Sequence, residues 1–105
     1  SYYHRYRYIG PIIVSKDGSK VLLENGDIYN GTNLTFRTSI SRDIKDAIWT
    51  QSNEIIYTNG DSTLKRINEN FTEIESVTFN GNILKIIQYN EEYIVLTYQN
   101  GVSFN

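Results

Sequence analysis

The opening stretch SYYHRYRYIGP (Ser1 to Pro11) gathers four tyrosines, two arginines and the only histidine of the chain. Tyr and Arg are the types that anchor protein interfaces and stack on bases. Their spacing alternates. Tyr2, His4, Tyr6 and Tyr8 fall on one face of an extended strand, and Tyr3, Arg5 and Arg7 on the other. The pattern predicts an outer strand whose basic face meets solvent and blunts the edge. Tyr3, Arg5 and Arg7 are therefore candidate binding residues.

Residue types for catalysis are sparse. With one histidine and no cysteine, a zinc site is not expected. Glu91-Glu92 reads as a solvated pair in a turn. The segment NGDST (Asn59 to Thr63) has oxygen ligands and a glycine, but it lacks the spaced acids and closing Glu of a calcium loop. A Ser-His-Asp arrangement would have to use His4, and no glycine-flanked serine elbow accompanies it. None of the seven glycines forms a phosphate-binding pattern. Neither an enzyme nor a cofactor is expected.

At 105 residues the chain is read as one domain. Nine Tyr, four Phe and many Ile and Val favour strands. The formal charge of −2 gives no electrostatic reason to expect nucleic acid as a partner. No apolar run approaches the roughly 20 residues of a membrane-spanning helix, so membrane insertion is not expected. Without cysteine a disulfide scaffold is excluded. With no cysteine and no leader read from the residues given, an intracellular setting is slightly favoured. The first residue is not Met, which suggests a processed product or part of a longer protein. Three Asn-x-Ser/Thr sequons, at Asn30, Asn33 and Asn70, are read as turn residues in an Asn-rich chain.

The elements that must position any site come from a repeat. Tyr8 to Tyr29, Asp43 to Ile67 and Asn82 to Phe104 share one order: apolar strand, polar turn, apolar strand, Asn-Gly turn, third strand. Ile9, Ile44 and Ile83 open the units. Val21-Leu22-Leu23, Ile55-Ile56-Tyr57 and Ile94-Val95-Leu96 are read as equivalent second strands. The pairs Asn25-Gly26, Asn59-Gly60 and Asn100-Gly101 are expected as type I′ hairpin turns. Asn33 to Ile40 and Asn70 to Phe79, each beginning Asn-apolar-Thr, supply a fourth strand before the second and third units. Tyr2 to Tyr8 holds the same place before the first. The units thus cover about 2–29, 33–67 and 70–105. Ser41 to Trp49 also carries a weak helical spacing, which the repeat overrules.

Four-stranded units of this length with an Asn-Gly-Asp turn, best seen in DAIWTQSNEIIYTNGDSTLKRI, resemble divergent blades of WD-repeat-like β-propellers. The Gly-His and Trp-Asp signatures of that group are absent, and SKDGS (Ser15 to Ser19) falls short of the Asp-box of sialidase-like propellers. The resemblance implies an all-β fold of repeated antiparallel meanders. Three units are fewer than a closed propeller needs, so the chain is expected to belong to a larger propeller, to complete one by oligomerising, or to form a small open β-domain.

The function expected is a protein-interaction scaffold, with another protein or the rest of a propeller as partner. Arg42, Asp43 and Lys45, at the start of the second unit, join the candidate residues. A glycan- or small-ligand-binding module is the alternative, with Trp49 as its aromatic platform. A lone Trp beside an apolar strand is more often packed between sheets.

Overall fold

Short apolar runs broken by Gly, Asn, Asp and Ser make ten strands and no helix among residues 12–98, which the computed structural model describes. The first sheet contains β1 (Ile12–Val14), β2 (Lys20–Leu23), β3 (Asp27–Asn30) and β4 (Phe36–Ser39), in that order. The second contains β5 (Asp46–Trp49), β6 (Ile55–Thr58), β7 (Thr63–Ile67) and β8 (Glu73–Thr78). The third pairs β9 (Asn82–Tyr89) with β10 (Glu92–Tyr98). Every pairing is antiparallel. The helical spacing at Ser41 to Trp49 ends in β5, because its apolar residues find partners on both sides of a sheet. The strand expected at Tyr2 to Tyr8 and the Asn100-Gly101 turn lie outside the described residues.

The fourth strands join the strands before them in sequence. β4 pairs with β3, and β8 with β7. Each four-stranded sheet is thus a simple meander, and the chain crosses between sheets at Ile40 to Lys45 and again at Phe79 to Gly81. β5 lies against β1 on one side and β9 on the other.

The second sheet has no wet face along β6. Ile55, Ile56, Tyr57 and Thr58 are all buried. Ala47, Trp49, Ile55, Tyr57 and Ile67 pack with Leu22 and Ile28 of the first sheet, with Ile13 at the margin. Ile56 packs the opposite way, with Ile83 and Ile86 of β9, among Ile48, Leu64, Tyr93 and Val95. Continuous apolar runs are what a doubly covered strand requires. Trp49 is 2% exposed and donates its indole N–H to the Ile13 carbonyl at 2.9 Å. It joins the first two sheets.

The Asn-Gly turns differ from the type I′ expectation. At the two described pairs only the glycine has positive φ, +89° at Gly26 and +91° at Gly60. The Gly26 N–H donates to the Leu23 carbonyl at 2.9 Å, so Glu24-Asn25 form the centre of the turn and Gly26 follows in the left-handed region. This is the three-residue hairpin connection, which needs positive φ at its last residue alone. The Asn25 side-chain oxygen Oδ1 accepts the Asp27 N–H at 3.0 Å.

The repeat extends to turn chemistry. Ser15 and Thr50 hydroxyls accept the N–H of Lys20 and Glu54, at 3.0 and 3.1 Å, across the first hairpin of each four-stranded sheet. Gly18 and Asn53, both at positive φ, donate back to the Ser15 and Thr50 carbonyls. In the last hairpins Leu34 and Phe71 take positive φ, and their N–H groups return to the carbonyls of Asn30 and Asn68. The recurring Asn-apolar-Thr marks that turn. Asn33 accepts the Thr35 N–H, and Asn70 donates its own N–H to the Asn68 side chain.

The third unit departs from the sequence alignment by one residue. Its first hairpin turns on Asn90-Glu91, between the paired Tyr89 and Glu92. Ile86 faces Val95, as Ala47 faces Tyr57. The equivalents of Ile55-Ile56-Tyr57 are therefore Tyr93-Ile94-Val95. A one-residue slip exchanges the two faces of a strand, and it leaves Ile94 and Leu96 pointing away from the second sheet.

Asp46 secures the step from the second sheet to the third. Its carboxylate, in a residue 9% exposed, accepts the buried Ile86 N–H at 2.6 Å and meets the Lys85 ammonium at 3.3 Å. Removing it strands a buried donor, while Lys85 is mostly in solvent. Asp46→Ala is expected to lose about 1–3 kcal/mol, and Lys85→Ala under about 1 kcal/mol. Urea titration reads both as a shift of midpoint at constant slope.

Candidate functional site

The connector from β4 to β5 is the place where candidate residues meet a shaped surface. A strand that leaves one sheet and enters the next must satisfy its backbone polar groups on the way. Two hairpins do this. On the first-sheet side, the Ile40 N–H donates to the Gly26 carbonyl at 2.9 Å and the Ile44 N–H to the Glu24 carbonyl at 2.8 Å. On the second-sheet side, the Lys45 N–H donates to the Thr58 carbonyl at 2.9 Å. The Asn59 amide donates to the Arg42 carbonyl at 2.7 Å, the Ser41 hydroxyl at 3.0 Å and the Asp43 carbonyl at 3.3 Å. Asp43 sits at φ +55° within this grip.

Both glycines of the Asn-Gly pairs are needed for the approach. A Cβ on Gly26 would overlap the Ser41 carbonyl oxygen, 1.3 Å away, and one on Gly60 would lie 3.3 Å from the Lys45 Cβ. The next connector repeats the solution. The Phe79 N–H donates to the Ser62 carbonyl and the Ile83 N–H to the Asp61 carbonyl, each at 2.8 Å.

The side chains of the first connector divide cleanly. Ile44 is buried, and Arg42, Asp43 and Lys45 are exposed. Their charged groups make no hydrogen bond or ion pair to any described residue. Beside them is a depression of about 410 Å³ lined by Asn25, Asp27, Ser39, Ile40, Ser41 and Arg42. Asp27 is fixed in its wall, accepting from the Ser39 hydroxyl at 2.6 Å and the Asn25 amide at 3.2 Å. The result is a polar shelf with a held carboxylate and a guanidinium that has no partner among the described residues.

Tyr57 supports the shelf from below. Burial, and then the Glu73 charge, raise its phenol above the ordinary value, against an opposing hydrogen bond from the Ser41 side chain. Elsewhere, hydrogen bonds hold the exposed Asp17 carboxyl well below the usual carboxylate range. The Ser19 hydroxyl leads, followed by the Ser19 N–H, the Ser15 hydroxyl and the Asn53 amide. The Asn53 contact, at 3.2 Å, joins the first hairpin loops of neighbouring sheets.

Of the residues singled out in the sequence, the structure brings Arg42, Asp43 and Lys45 together on this connector. Trp49 is inside, between the sheets, and is not part of the shelf. Tyr3, Arg5 and Arg7 lie outside the described residues. Asn59, Ser41, Asp27 and Ser39 hold or line the shelf and were not singled out as site residues in the sequence. The repeated Asn-Gly pairs were the one available signal for Asn59. No cluster of three or more His, Asp or Glu among the described residues could hold a metal ion. Among the same residues no helix is long and apolar enough to cross a membrane. Comparison with known proteins finds no matching family model and no matching curated protein.

Two outcomes test the support of the shelf. Gly26→Ala should cost more than about 1 kcal/mol, since it combines positive φ with a backbone clash; thermal melting checks this. A raised folded-state value for Tyr57 means that the folded chain keeps its proton where the unfolded chain loses it. The contribution of Tyr57 to stability is therefore complete below the ordinary phenol value of 10.0 and is lost as pH rises above it. Tyr57→Phe should flatten that decline in urea titrations at stepped alkaline pH.

Proposed function

We propose that the chain is a non-catalytic protein-interaction scaffold, whose sheets are successive blades of a propeller-like array. The connector Ser41 to Lys45 is the surface it presents to a protein partner. One observation carries the reading. The connector's backbone is held from both sides, while its three charged side chains are left without partners among the described residues. A rigid support with free charged groups lowers the ordering cost of binding. Exposed Arg is among the types that contribute most at interfaces.

The blade reading draws support from the meander order of the two four-stranded sheets and from the adjacency of their first strands, with β5 between β1 and β9. The sugar-binding alternative is less well supported. Its aromatic platform, Trp49, is buried, and the depression has no aromatic residue in its lining.

The partner should carry acidic groups complementary to Arg42 and Lys45, with a basic group facing Asp27 or Asp43. The double variant Arg42→Glu, Lys45→Glu reverses both positive charges and touches no buried contact. It should keep the wild-type melting curve. Proteins retained by immobilised wild-type chain and identified by mass spectrometry should bind it at least about tenfold more weakly. Equal retention by both chains would remove the connector from the interface.

A further inference from the structure

We propose that the outer face of the third sheet docks on the outer face of the first sheet of a second copy of this chain, head to tail. The inference goes beyond the connector surface and does not depend on what binds there.

The argument starts from the two sheet–sheet contacts inside the chain. Each joins unlike faces. The first sheet meets the second through Ile13, Leu22 and Ile28, against Ala47, Trp49, Ile55 and Tyr57. The second meets the third through Ile48, Ile56 and Leu64, against Ile83, Ile86, Tyr93 and Val95. Strand register makes the two contacts equivalent. Ile12 pairs with Leu23 and Val14 with Val21, as Ala47 pairs with Tyr57 and Trp49 with Ile55. Ile12, Val14, Val21 and Leu23 thus hold the positions by which the second sheet packs on the first.

On the first sheet those residues face outward. Ile12 is 59% exposed and Val14 54%, and Phe36, 57% exposed, extends the face through an edge contact with Tyr29. At the far end the third sheet shows the opposite kind of face. Ile87 pairs with Ile94 there, in the positions of Ile48 and Ile56. Ile87, Ile94, Leu96 and Tyr98 are between 38% and 45% exposed. The two ends are therefore apolar and complementary by the relation that already operates twice inside the chain. Soluble proteins rarely leave such patches open. Unlike faces form a heterologous contact, which closes into a ring where the rotation between copies permits it.

The test uses light scattering after size-exclusion chromatography at the highest soluble concentration, with circular dichroism as a check of folding. The wild-type chain should have a mass that is a whole multiple of 12.2 kDa, twofold for a two-copy ring. Val14→Asp disables one face and Ile94→Asp the other, and each variant alone should be monomeric. Mixed together they retain one working pair of faces and should form a 1:1 dimer. Should either variant lose its β-sheet signal, Ile12→Lys and Leu96→Lys probe the same two faces. A monomeric wild-type chain would overturn the proposal, as would a multimer that either variant leaves intact. A Val14→Asp chain that still dimerises with itself would show like faces pairing and would also overturn it.

Discussion

The second sheet can exist only between two others. Four consecutive residues of β6 are buried, and side chains alternate across a strand, so both faces must be removed from water. One neighbouring sheet would cover Trp49, Ile55 and Tyr57 and leave Ile48 and Ile56 open. The three-sheet order follows from this, as does the choice of residues that link it. Trp49 donates to the Ile13 carbonyl on one side, and Asp46 accepts from the Ile86 N–H on the other. The same constraint makes the outer sheets asymmetric. Each has one face against the second sheet and one face that repeats its apolar character without a cover among the described residues.

Stacking sheets creates a second demand, at the crossings. A connector between packed sheets passes close to hairpins on both, and its N–H and C=O groups must find partners there. Both crossings use the same pair of bonds to the preceding hairpin, separated by the same four residues: Ile40 and Ile44, then Phe79 and Ile83. The Asn-Gly pair serves this purpose as much as it serves the hairpin. Gly26 gives the Ser41 carbonyl room, and Asn59 collects three acceptors of the connector. Structure and candidate function therefore share one segment. Its main chain belongs to the fold, and its charged side chains remain available.

Much of this order was legible because it is local. Alternating apolar runs, Asn-apolar-Thr and Asn-Gly each report on a few neighbouring residues. Strand type and the repeat followed from them, and so did the place of Trp49 at the end of a first strand. The misreadings have equally physical origins. Asn-Gly fits both a type I′ turn and a type I turn followed by left-handed Gly, and positive φ at Gly26 but not at Asn25, with the Gly26 N–H returned to the Leu23 carbonyl, decides for the second. The third unit was aligned by its run of apolar residues. Ile94-Val95-Leu96 matches Ile55-Ile56-Tyr57 in composition, but the shorter turn at Asn90-Glu91 sets the register one residue earlier. The support of Arg42 and Lys45 was not legible, because it consists of backbone bonds between distant segments, which leave no trace in residue type.

That register has consequences beyond alignment. Had Ile94 and Leu96 faced the second sheet, Tyr93 and Val95 would have stood in their place on the outer face of the third, beside Ile87. The slip places Ile94 beside Ile87 instead, in an apolar pair at the centre of the exposed face. A turn shortened by one residue therefore determines which side chains of β10 stand at the end of the stack and which pack inside it. In a fold built by repetition, the chemistry of the ends is set by local turn geometry as firmly as by the residues of the strands themselves.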